Sequence, residues 1–290
     1  MNILVTGANG FVGQELIRIL AKTQHRICGL DLEPGKAVLP KIFEKFYVQD
    51  ITKKFNLNQS FDVVFHLAAC NLTHVGKADR QKYYDVNAEG TKNLIESSKI
   101  RKFVFLSTAK VYQLLPGEIN EASPVSPLSD YEKSKLEAED VCRQYFSDDD
   151  LTIFRSVNIV GERQAEKAVI PVFFKNALAG KPLEIIGSGR TKAQLLYIED
   201  LLDAVTLILN REKGCGIVNL AGEESIEILK LAEKVIDICR SASKIICTNT
   251  DAVIFPEISA EKIKRILGWQ AKISVDEMLK RYFNFLRNNG

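Results

Sequence analysis

The sequence has little of what marks several classes of protein. It has no CxxC pair, and its six cysteines are scattered along 290 residues, which argues against a disulfide framework and against a zinc site of the usual spacing. It has no apolar run near the length of a membrane span, and its start lacks the basic and apolar segments of a secretory signal. We therefore expect a cytoplasmic protein with no membrane span and no bound metal.

A surplus of charge of one sign is absent as well. The chain has 39 basic and 37 acidic residues and a net charge of +2, so we expect no nucleic-acid partner and no binding to an anionic membrane surface. Its hydrophobic share of 46% and charged share of 26% are those of a globular protein without disorder. Any anionic ligand must then be held by local groups.

What the sequence does contain is a regular alternation of strands and helices, which indicates βαβ units and a parallel sheet. Strands are predicted at residues 3–6, 26–31, 45–48, 63–67, 103–107 and 152–155, and helices at 13–23, 79–98 and 131–146. Further helices, mixed with short strands, are predicted at 169–179, 198–210, 225–242 and 275–287. We predict an α/β protein with a Rossmann-type doubly wound parallel sheet in residues 1–158, with later returns near 194–210, and a smaller mixed α/β lobe in 159–290.

A glycine-rich turn follows the first predicted strand and opens the first predicted helix. Its candidate cofactor contacts are Gly7, Asn9, Gly10, Phe11, Val12 and Gly13. Glycines leave the room that a pyrophosphate needs to approach the backbone and the amino terminus of the helix. The spacing is GxxGxxG, and the alternative is a plain strand-to-helix turn. The position inside a βαβ unit favours a dinucleotide site.

Asp31 ends the second predicted strand, eighteen residues beyond Gly13. A carboxylate at this position can accept hydrogen bonds from the adenosine ribose, and it repels a 2′-phosphate. No arginine follows it closely, so NAD is favoured over NADP. The alternative for Asp31 is a solvated strand end. Asp50 and Ile51, after the third strand, are candidates to lie against the adenine.

Tyr131 and Lys135 are four residues apart and share one face of a predicted helix. Tyrosine, with an ordinary pKa near ~10, is a poor base at neutral pH, and a neighbouring ammonium stabilises its phenolate. Alone, the pair is equally compatible with a surface helix. Ser107 and Thr108, however, end the fifth strand at the edge where such sheets bind ligands, so we expect Thr108 to hydrogen-bond the reacting oxygen.

With these residues the chain resembles the NAD-dependent epimerase/dehydratase family, the extended short-chain dehydrogenase/reductases that act on nucleotide sugars. The resemblance covers nearly the whole chain. Its ordered motifs are the glycine turn at 7–13, Asp50-Ile51, His66-Leu67-Ala68-Ala69, Asn87, Ser107-Thr108, Tyr131 with Lys135, and Arg155-Ser156-Val157-Asn158. It implies an NAD-dependent enzyme of nucleotide-diphosphate sugars, in which residues 159–290 mainly bind the substrate.

The resemblance also implies roles for single residues. Thr108, Tyr131 and Lys135 would be catalytic, and Thr108 and Asn158 would contact the sugar nucleotide. Further cofactor contacts would be Leu67, Ala68, Ala69, Asn87, Ser107, Tyr131 and Lys135. The alternative for Asn87 is a helix-surface amide. For His66 we prefer a core histidine to a catalytic one.

In the family, an arginine that grips the nucleotide diphosphate lies between the segments found here at 183–189 and 196–201. This chain has Ala193 at that position, with Arg190 and Lys192 nearby. Either neighbour could supply the charge, although a lysine binds as a point charge and lacks the bidentate fork of arginine. Arg190 and Lys192 are therefore candidate substrate contacts.

The reaction is less closely defined than the family. Dehydratases of the family place an acidic pair after the catalytic threonine, and this chain has Ala109-Lys110, so elimination of water is not expected. We favour a 4-epimerase of the UDP-glucose 4-epimerase type. An NAD(P)H-dependent 4-keto-sugar reductase needs the same catalytic residues and stays open, as does an NAD-binding sensor without chemistry. The resemblance further implies a homodimer, with the helices at 79–98 and 131–146 exposing a second apolar stripe to the partner.

Overall fold

The computed structural model describes residues 1–34, 42–71, 79–248 and 256–289. Within them the strands are β1 (Asn2–Thr6), β2 (Arg26–Asp31), β3 (Phe43–Val48), β4 (Ser60–His66), β5 (Lys99–Thr108), β6 (Glu118–Ile119), β7 (Leu151–Ser156), β8 (Asn158–Val160), β9 (Leu183–Ile185), β10 (Lys192–Tyr197), β11 (Gly216–Leu220), β12 (Ser225–Glu227), β13 (Ile245–Cys247) and β14 (Glu257–Ile258). The helices are α1 (Phe11–Leu20), α2 (Gln81–Tyr84), α3 (Gly90–Glu96), α4 (Asp130–Tyr145), α5 (Val169–Leu178), α6 (Ile198–Leu209), α7 (Ile228–Cys239), α8 (Glu261–Leu267) and α9 (Val275–Asn289). A π turn (Asp85–Glu89) separates α2 from α3, and a 3-10 turn (Ala109–Val111) follows β5.

The chain divides into two units, of which the first contains the main sheet. The first unit comprises Met1–Gln113, Glu121–Ser156 and Leu202–Asn219. Its seven strands lie in the order β11-β7-β5-β4-β1-β2-β3, and the pairings from β3 across to β7 are parallel. The strand order reverses between β1 and β4, as in a doubly wound sheet. The predicted Rossmann-type class is confirmed.

The main sheet is buried because helices cover it. Every residue of β7 is buried, as are Ile3 to Thr6 of β1, as expected of parallel strands that are covered on both faces. Helices α3 and α4 pack against β5, and they bring Leu94 and Ala138 into the core around Phe105. Full burial of a side chain such as Phe105 contributes roughly 1.5–3 kcal/mol. This packing fixes the strand ends that carry the predicted site.

The second unit comprises Leu114–Asn120, Val157–Leu201 and Leu220–Gly290. Its β10 pairs in parallel with β8 and antiparallel with β12, and two further strand pairs join β13 to β9 and β14 to β6. The indole N–H of Trp269 donates to the carbonyl of Asp200 at 2.9 Å, and the Asp200 carboxylate accepts the backbone N–H groups of Lys272 and Ile273. These bonds tie the segment before α9 to α6.

Two stretches differ from their predicted form. The stretch 225–242, predicted as one helix, begins as β12, because Ile226 pairs with Ala193 of β10; its helix ends at Cys239, where Arg240 adopts a φ of 50°. The return to the first unit covers residues 202–219, whereas residues 192–197 form β10 of a separate small sheet. Strand β11 was not predicted.

The outward positions of the helices predicted to bind a second subunit are mainly polar. Those exposed are Gln81, Lys82, Asp85, Glu89 and Glu96 on one helix and Lys133, Glu137, Asp140, Arg143, Gln144 and Tyr145 on the other. The same helices also carry half-buried apolar residues, Val86, Leu136 and Val141, so the second apolar stripe and the homodimer stay predictions. Among the described helices, none is long and apolar enough to cross a bilayer.

Candidate active site

The glycine turn after β1 is closed too tightly for side chains. Gly7 has a φ of +65°, and a Cβ there would lie 2.7 Å from the backbone nitrogen of Ala68. A Cβ on Gly13 would lie 2.1 Å from the carbonyl oxygen of Gly7. The N–H of Gly10 donates to that same carbonyl at 2.9 Å. Glycine at these positions lets α1 begin directly against the turn, where its free N–H groups can face a phosphate.

Asn9 and Asp31 form the polar part of this turn. The Asp31 carboxylate accepts the backbone N–H groups of Asn9 at 2.9 Å and of Leu32 at 2.7 Å. The amide nitrogen of Asn9 donates to the carbonyl of Glu33 at 3.0 Å. Its amide oxygen is buried and has no partner among the described residues. Since buried polar atoms are nearly always hydrogen-bonded, this oxygen fits a site that a dinucleotide completes.

The remaining predicted cofactor residues surround the same strand ends. Phe11 and Val12 open α1, and both are half-buried. Asp50 accepts two hydrogen bonds from Thr52, at 2.9 and 2.8 Å. Ile51 is buried against Gly90, and its carbonyl accepts the Asn93 amide at 2.9 Å. The backbone after β3 is thus held in place by α3.

The loop after β4 lies against the glycine turn. Leu67 and Ala68 are half-buried and Ala69 is exposed. The N–H of Ala68 donates to the Thr6 hydroxyl at 3.3 Å. Because β1 and β4 are neighbours, this loop and the glycine turn share one edge of the sheet, as their predicted cofactor role requires.

Asn87 is a buried residue of the π turn, so the surface alternative is wrong. Its amide oxygen accepts the Cys70 N–H at 2.8 Å, and its amide nitrogen donates to the Cys70 carbonyl at 3.0 Å. The same nitrogen lies 2.9 Å from the Ser134 hydroxyl, which donates to the carbonyl of Tyr131 at 2.8 Å. Sequence reasoning missed Ser134, although it stands between Tyr131 and Lys135. Asn87 thereby reaches the backbone of the predicted base.

A capping box fixes the first turn of α4. Ser129 accepts the N–H of Glu132 at 3.3 Å, and the Glu132 carboxylate accepts the N–H of Ser129 at 2.9 Å and of Leu128 at 2.8 Å. Two orphan donors of the helix end are satisfied in this way. The S-x-x-E spacing is present in the sequence, but a capping box was not predicted there. It places Tyr131 in a well-defined first turn.

Thr108, Tyr131 and Lys135 lie on elements that pack together. Thr108 ends β5, is buried, and accepts the N–H of Lys110 at 3.3 Å. Helix α4, which carries Tyr131 and Lys135, packs against β5 and against the 3-10 turn that follows it. Lys135 is buried with its ammonium 3.9 Å from the ring centroid of Phe105 in β5. The three predicted catalytic residues thus belong to one corner of the first unit.

The protonation state of this corner differs from the expected one. Burial raises the pKa of Tyr131 to about 12, and the charge of Glu132 adds to the rise. Burial lowers the pKa of Lys135 to about 7, with Cys142 and Glu139 acting in the opposite direction. The expectation that Lys135 lowers the pKa of Tyr131 is therefore not met, because loss of hydration dominates for both groups. The phenol is protonated at neutral pH.

Replacing Lys135 by methionine should stabilise the protein at pH 7 by about 2–5 °C in Tm. The pKa of Lys135 falls on folding from 10.5 to about 7, so the buried charge lowers stability at and below about pH 7. This destabilisation disappears as the pH rises toward 10.5. Thermal unfolding of the wild type and Lys135→Met between pH 6 and 10 measures it. Lys133→Met, at an exposed position of the same helix, is the control, and equal stabilities at every pH would contradict the expectation.

A buried ion pair lies behind the corner and was not predicted. Glu139 and Arg155 are 0% and 3% exposed. The guanidinium of Arg155 donates to both carboxylate oxygens, at 2.6 to 3.1 Å, and lies 4.7 Å from the ring centroid of Tyr112. The Ser107 hydroxyl also donates to Glu139. Ser107, predicted to contact the cofactor, thus uses its hydroxyl to join β5 to α4.

The three predicted substrate contacts outside this corner lie in the second unit. Asn158 is exposed at the start of β8. Arg190 is exposed, and its backbone N–H donates to the Ser188 hydroxyl at 3.5 Å. Lys192 is exposed, with its ammonium 3.8 Å from the Glu257 carboxylate. Their role in substrate binding stays a prediction. Within the described part of the chain, no group of three or more His, Cys, Asp and Glu side chains could hold a metal ion.

Known proteins resemble this chain in sequence and in fold. A family model described as the NAD dependent epimerase/dehydratase family matches residues 3–221. The "Uncharacterized UDP-glucose epimerase YtcB" of Bacillus subtilis is 31% identical over 262 residues, covering 82% of each chain. A dTDP-D-glucose 4,6-dehydratase of Dictyostelium discoideum is 30% identical over 269 residues, 81% of this chain and 62% of that one. The crystal structure of a UDP-glucuronic acid 4-epimerase from Bacillus cereus, in complex with UDP-glucuronic acid and NAD, matches 99% of both chains with a TM-score of 0.86 and 26% identity.

Proposed function

Since the chain belongs to the NAD dependent epimerase/dehydratase family, we propose that it is an NAD-dependent epimerase of nucleotide-diphosphate sugars, of the 4-epimerase type. The observation that carries the proposal is the single corner formed by Thr108, Tyr131 and Lys135 at the carboxyl end of β5. The second supporting observation is the glycine turn with the unpartnered amide oxygen of Asn9. NAD fits there and, when bound, supplies the hydride acceptor.

In this function Thr108 and Tyr131 bind the sugar hydroxyl that is oxidised. The ionised phenolate of Tyr131 takes the proton of that sugar hydroxyl as its carbon is oxidised, and the phenol returns the proton when the carbon is reduced. Burial holds the pKa of Tyr131 at about 12, so its proton transfer depends on positive charge brought close. We propose that Lys135, four residues further along α4, supplies that charge when it is protonated. Thr108 orients the reacting oxygen and accepts no charge itself.

Fewer observations support the contacts to the sugar nucleotide. We propose that Asn158, Arg190 and Lys192 bind it, with the two cations facing the diphosphate. Their exposure supports this, since none of the three is buried in the second unit. Elimination of water is not proposed, because Ala109 and Lys110 follow Thr108 where dehydratases have acids.

One experiment separates the epimerase from its rivals. The purified protein is denatured and the supernatant is assayed for released NAD, and native protein is incubated with UDP-glucose, UDP-glucuronic acid and dTDP-glucose without added cofactor. The proposal predicts bound NAD and conversion to the 4-epimer, which proton NMR detects. Turnover only with added NADH would indicate a reductase, and a 4-keto-6-deoxy product would indicate a dehydratase. Bound NAD without turnover of any sugar would indicate the sensor.

The proposal also includes a cellular location and an oligomeric state. We propose a cytoplasmic location, which is supported by the fact that none of the six cysteines, all within the described residues, forms a disulfide. We also propose a homodimer, which the family resemblance supports. Light scattering coupled to gel filtration measures the mass in solution, and a monomer at micromolar concentration would contradict the second proposal.

A further inference from the structure

A line of buried polar groups runs from the first strand to the π turn, away from the reacting atoms. Thr6, His66, Thr91 and Asn87 are each at most 1% exposed. Burying polar groups in this way is unfavourable unless every one is hydrogen-bonded. The distances show that they are: 2.7 Å from Thr6 to His66 Nδ1, 2.9 Å from His66 Nε2 to Thr91, and 2.6 Å from Thr91 to the carbonyl of Asn87.

The direction of each hydrogen bond follows from the Asn87 end of the line. The carbonyl of Asn87 can only accept, so the Thr91 hydroxyl donates to it. That hydroxyl has one hydrogen, so it must accept from His66, and Nε2 therefore carries a proton. In a neutral ring Nδ1 then carries only a lone pair, so the Thr6 hydroxyl, which also accepts the N–H of Ala68, donates its hydrogen to Nδ1. The imidazole is thus the neutral Nε2–H tautomer.

The surroundings of His66 favour the same neutral form. The ring packs against Phe103 and Phe105, with centroids 5.7 and 5.6 Å apart. Burial lowers the pKa of His66 to about 3, and the charge of Lys135 acts in the same direction. A second proton, on Nδ1, would leave the Thr6 hydroxyl hydrogen without the acceptor that lies 2.7 Å away. It would also place a second cation near Lys135.

Each end of this line of hydrogen bonds contacts a segment of the proposed site. One end holds the N–H of Ala68 beside the glycine turn. The other holds Asn87, whose amide reaches Ser134 and through it the carbonyl of Tyr131. We propose that His66 is a positioning residue, whose fixed Nε2–H tautomer joins the cofactor-side loop at Ala68 to the helix turn that carries Tyr131. Only its effect on turnover rests on the proposed function.

The tautomer is tested without any substrate. Long-range proton–nitrogen NMR of protein labelled with ¹⁵N-histidine reports which ring nitrogen is protonated, and His66→Gln identifies the signal. We expect the Nε2–H pattern, unchanged between pH 5 and 8. An Nδ1–H pattern, or titration of this ring in that range, would overturn the proposal whether or not the protein turns over a sugar.

The positioning role is tested by removing the Thr91 hydroxyl, which accepts the hydrogen bond from the Nε2–H of His66. Thr91→Val keeps the shape of the side chain but offers His66 no acceptor. We expect a mixture of His66 tautomers in this variant. We also expect kcat to fall roughly tenfold, because the loss of one hydrogen bond leaves Tyr131 less well oriented, while KM for the sugar nucleotide stays within about twofold. Thr91→Ser should restore both. Thr152→Val, which removes an equally buried hydroxyl that accepts the Cys215 N–H in the same unit, should leave the tautomer and kcat unchanged.

The result that overturns the positioning role is equally specific. If Thr91→Val lowers only the free energy of unfolding, to the same extent as Thr152→Val, and leaves the tautomer and kcat unchanged, His66 is a packing residue. If the protein turns over no nucleotide sugar at all, the proposed function fails. In that case the tautomer in Thr91→Val and Thr91→Ser still decides whether the hydrogen-bond directions hold.

Discussion

A Tyr131→Phe variant is expected to turn over nucleotide sugar roughly a thousandfold more slowly than the wild type, with its fold intact. The variant loses only the hydroxyl that carries the proton in the proposed reaction. That hydroxyl has no hydrogen-bond partner among the described side chains, so its removal leaves no buried group unsatisfied. The ring stays edge-on to Tyr83, whose centroid lies 6.1 Å away. Activity should fall while Tm and bound NAD stay the same.

The matching measurement compares initial rates of 4-epimer formation with the NAD released on denaturation. Tyr47→Phe is the control, because it removes a hydroxyl that donates to Gln59 at 2.7 Å on β3. The control should keep full activity and lose about 1 kcal/mol of stability. A Tyr131→Phe variant that kept more than a tenth of the activity would show that another group moves the proton.

A Glu139→Ala variant is expected to lose about 3–5 kcal/mol of unfolding free energy. It leaves the guanidinium of Arg155, 3% exposed, without its carboxylate partner. It also removes the acceptor of the Ser107 hydroxyl. Both effects act on the strand ends beside Thr108, so activity should fall with stability. Breaking one side of a buried pair costs far more than the pair contributes, because a buried charge is left alone.

Urea unfolding followed by circular dichroism measures the loss. Glu137→Ala is the matched control, since Glu137 is exposed on the same helix, and it should change stability by less than about 0.5 kcal/mol. The double variant Glu139→Leu with Arg155→Met removes both charges and should recover most of the loss. A loss below 1 kcal/mol in Glu139→Ala would mean that water or another group reaches Arg155.

The parts of the fold that the sequence predicted are those with short-range signals. Alternating strands and helices, the glycine turn and the four-residue spacing of Tyr131 and Lys135 all depend on neighbours along the chain. Strand β11 depends on a partner sixty residues earlier, β7, and carries no local mark of its own. In the same way, Ser225–Glu227 is a strand only because β10 lies beside it.

The electrostatics of the candidate site also depend on contacts that neighbours along the chain do not reveal. The four-residue spacing of Tyr131 and Lys135 predicts that they share one face of a helix. Their pKa values depend mainly on burial, which the spacing does not predict. The pair of Glu139 and Arg155 and the line through His66 join residues that are far apart in the sequence and adjacent in space. The capping box of Ser129 and Glu132 and the hydrogen bond from Ser134 to the carbonyl of Tyr131 are local features that were not predicted.

Strand β11 comes about sixty residues after its neighbour β7 in the sequence, and this separation affects folding during synthesis. Strand β7 lies between β5 and β11 in the sheet, and all six of its residues are buried. During synthesis, β7 leaves the ribosome some sixty residues before its outer neighbour. Until then β7 presents a row of unpaired backbone donors and acceptors, which other nascent chains can join. A chain cut after residue 158 would keep that edge permanently and should aggregate.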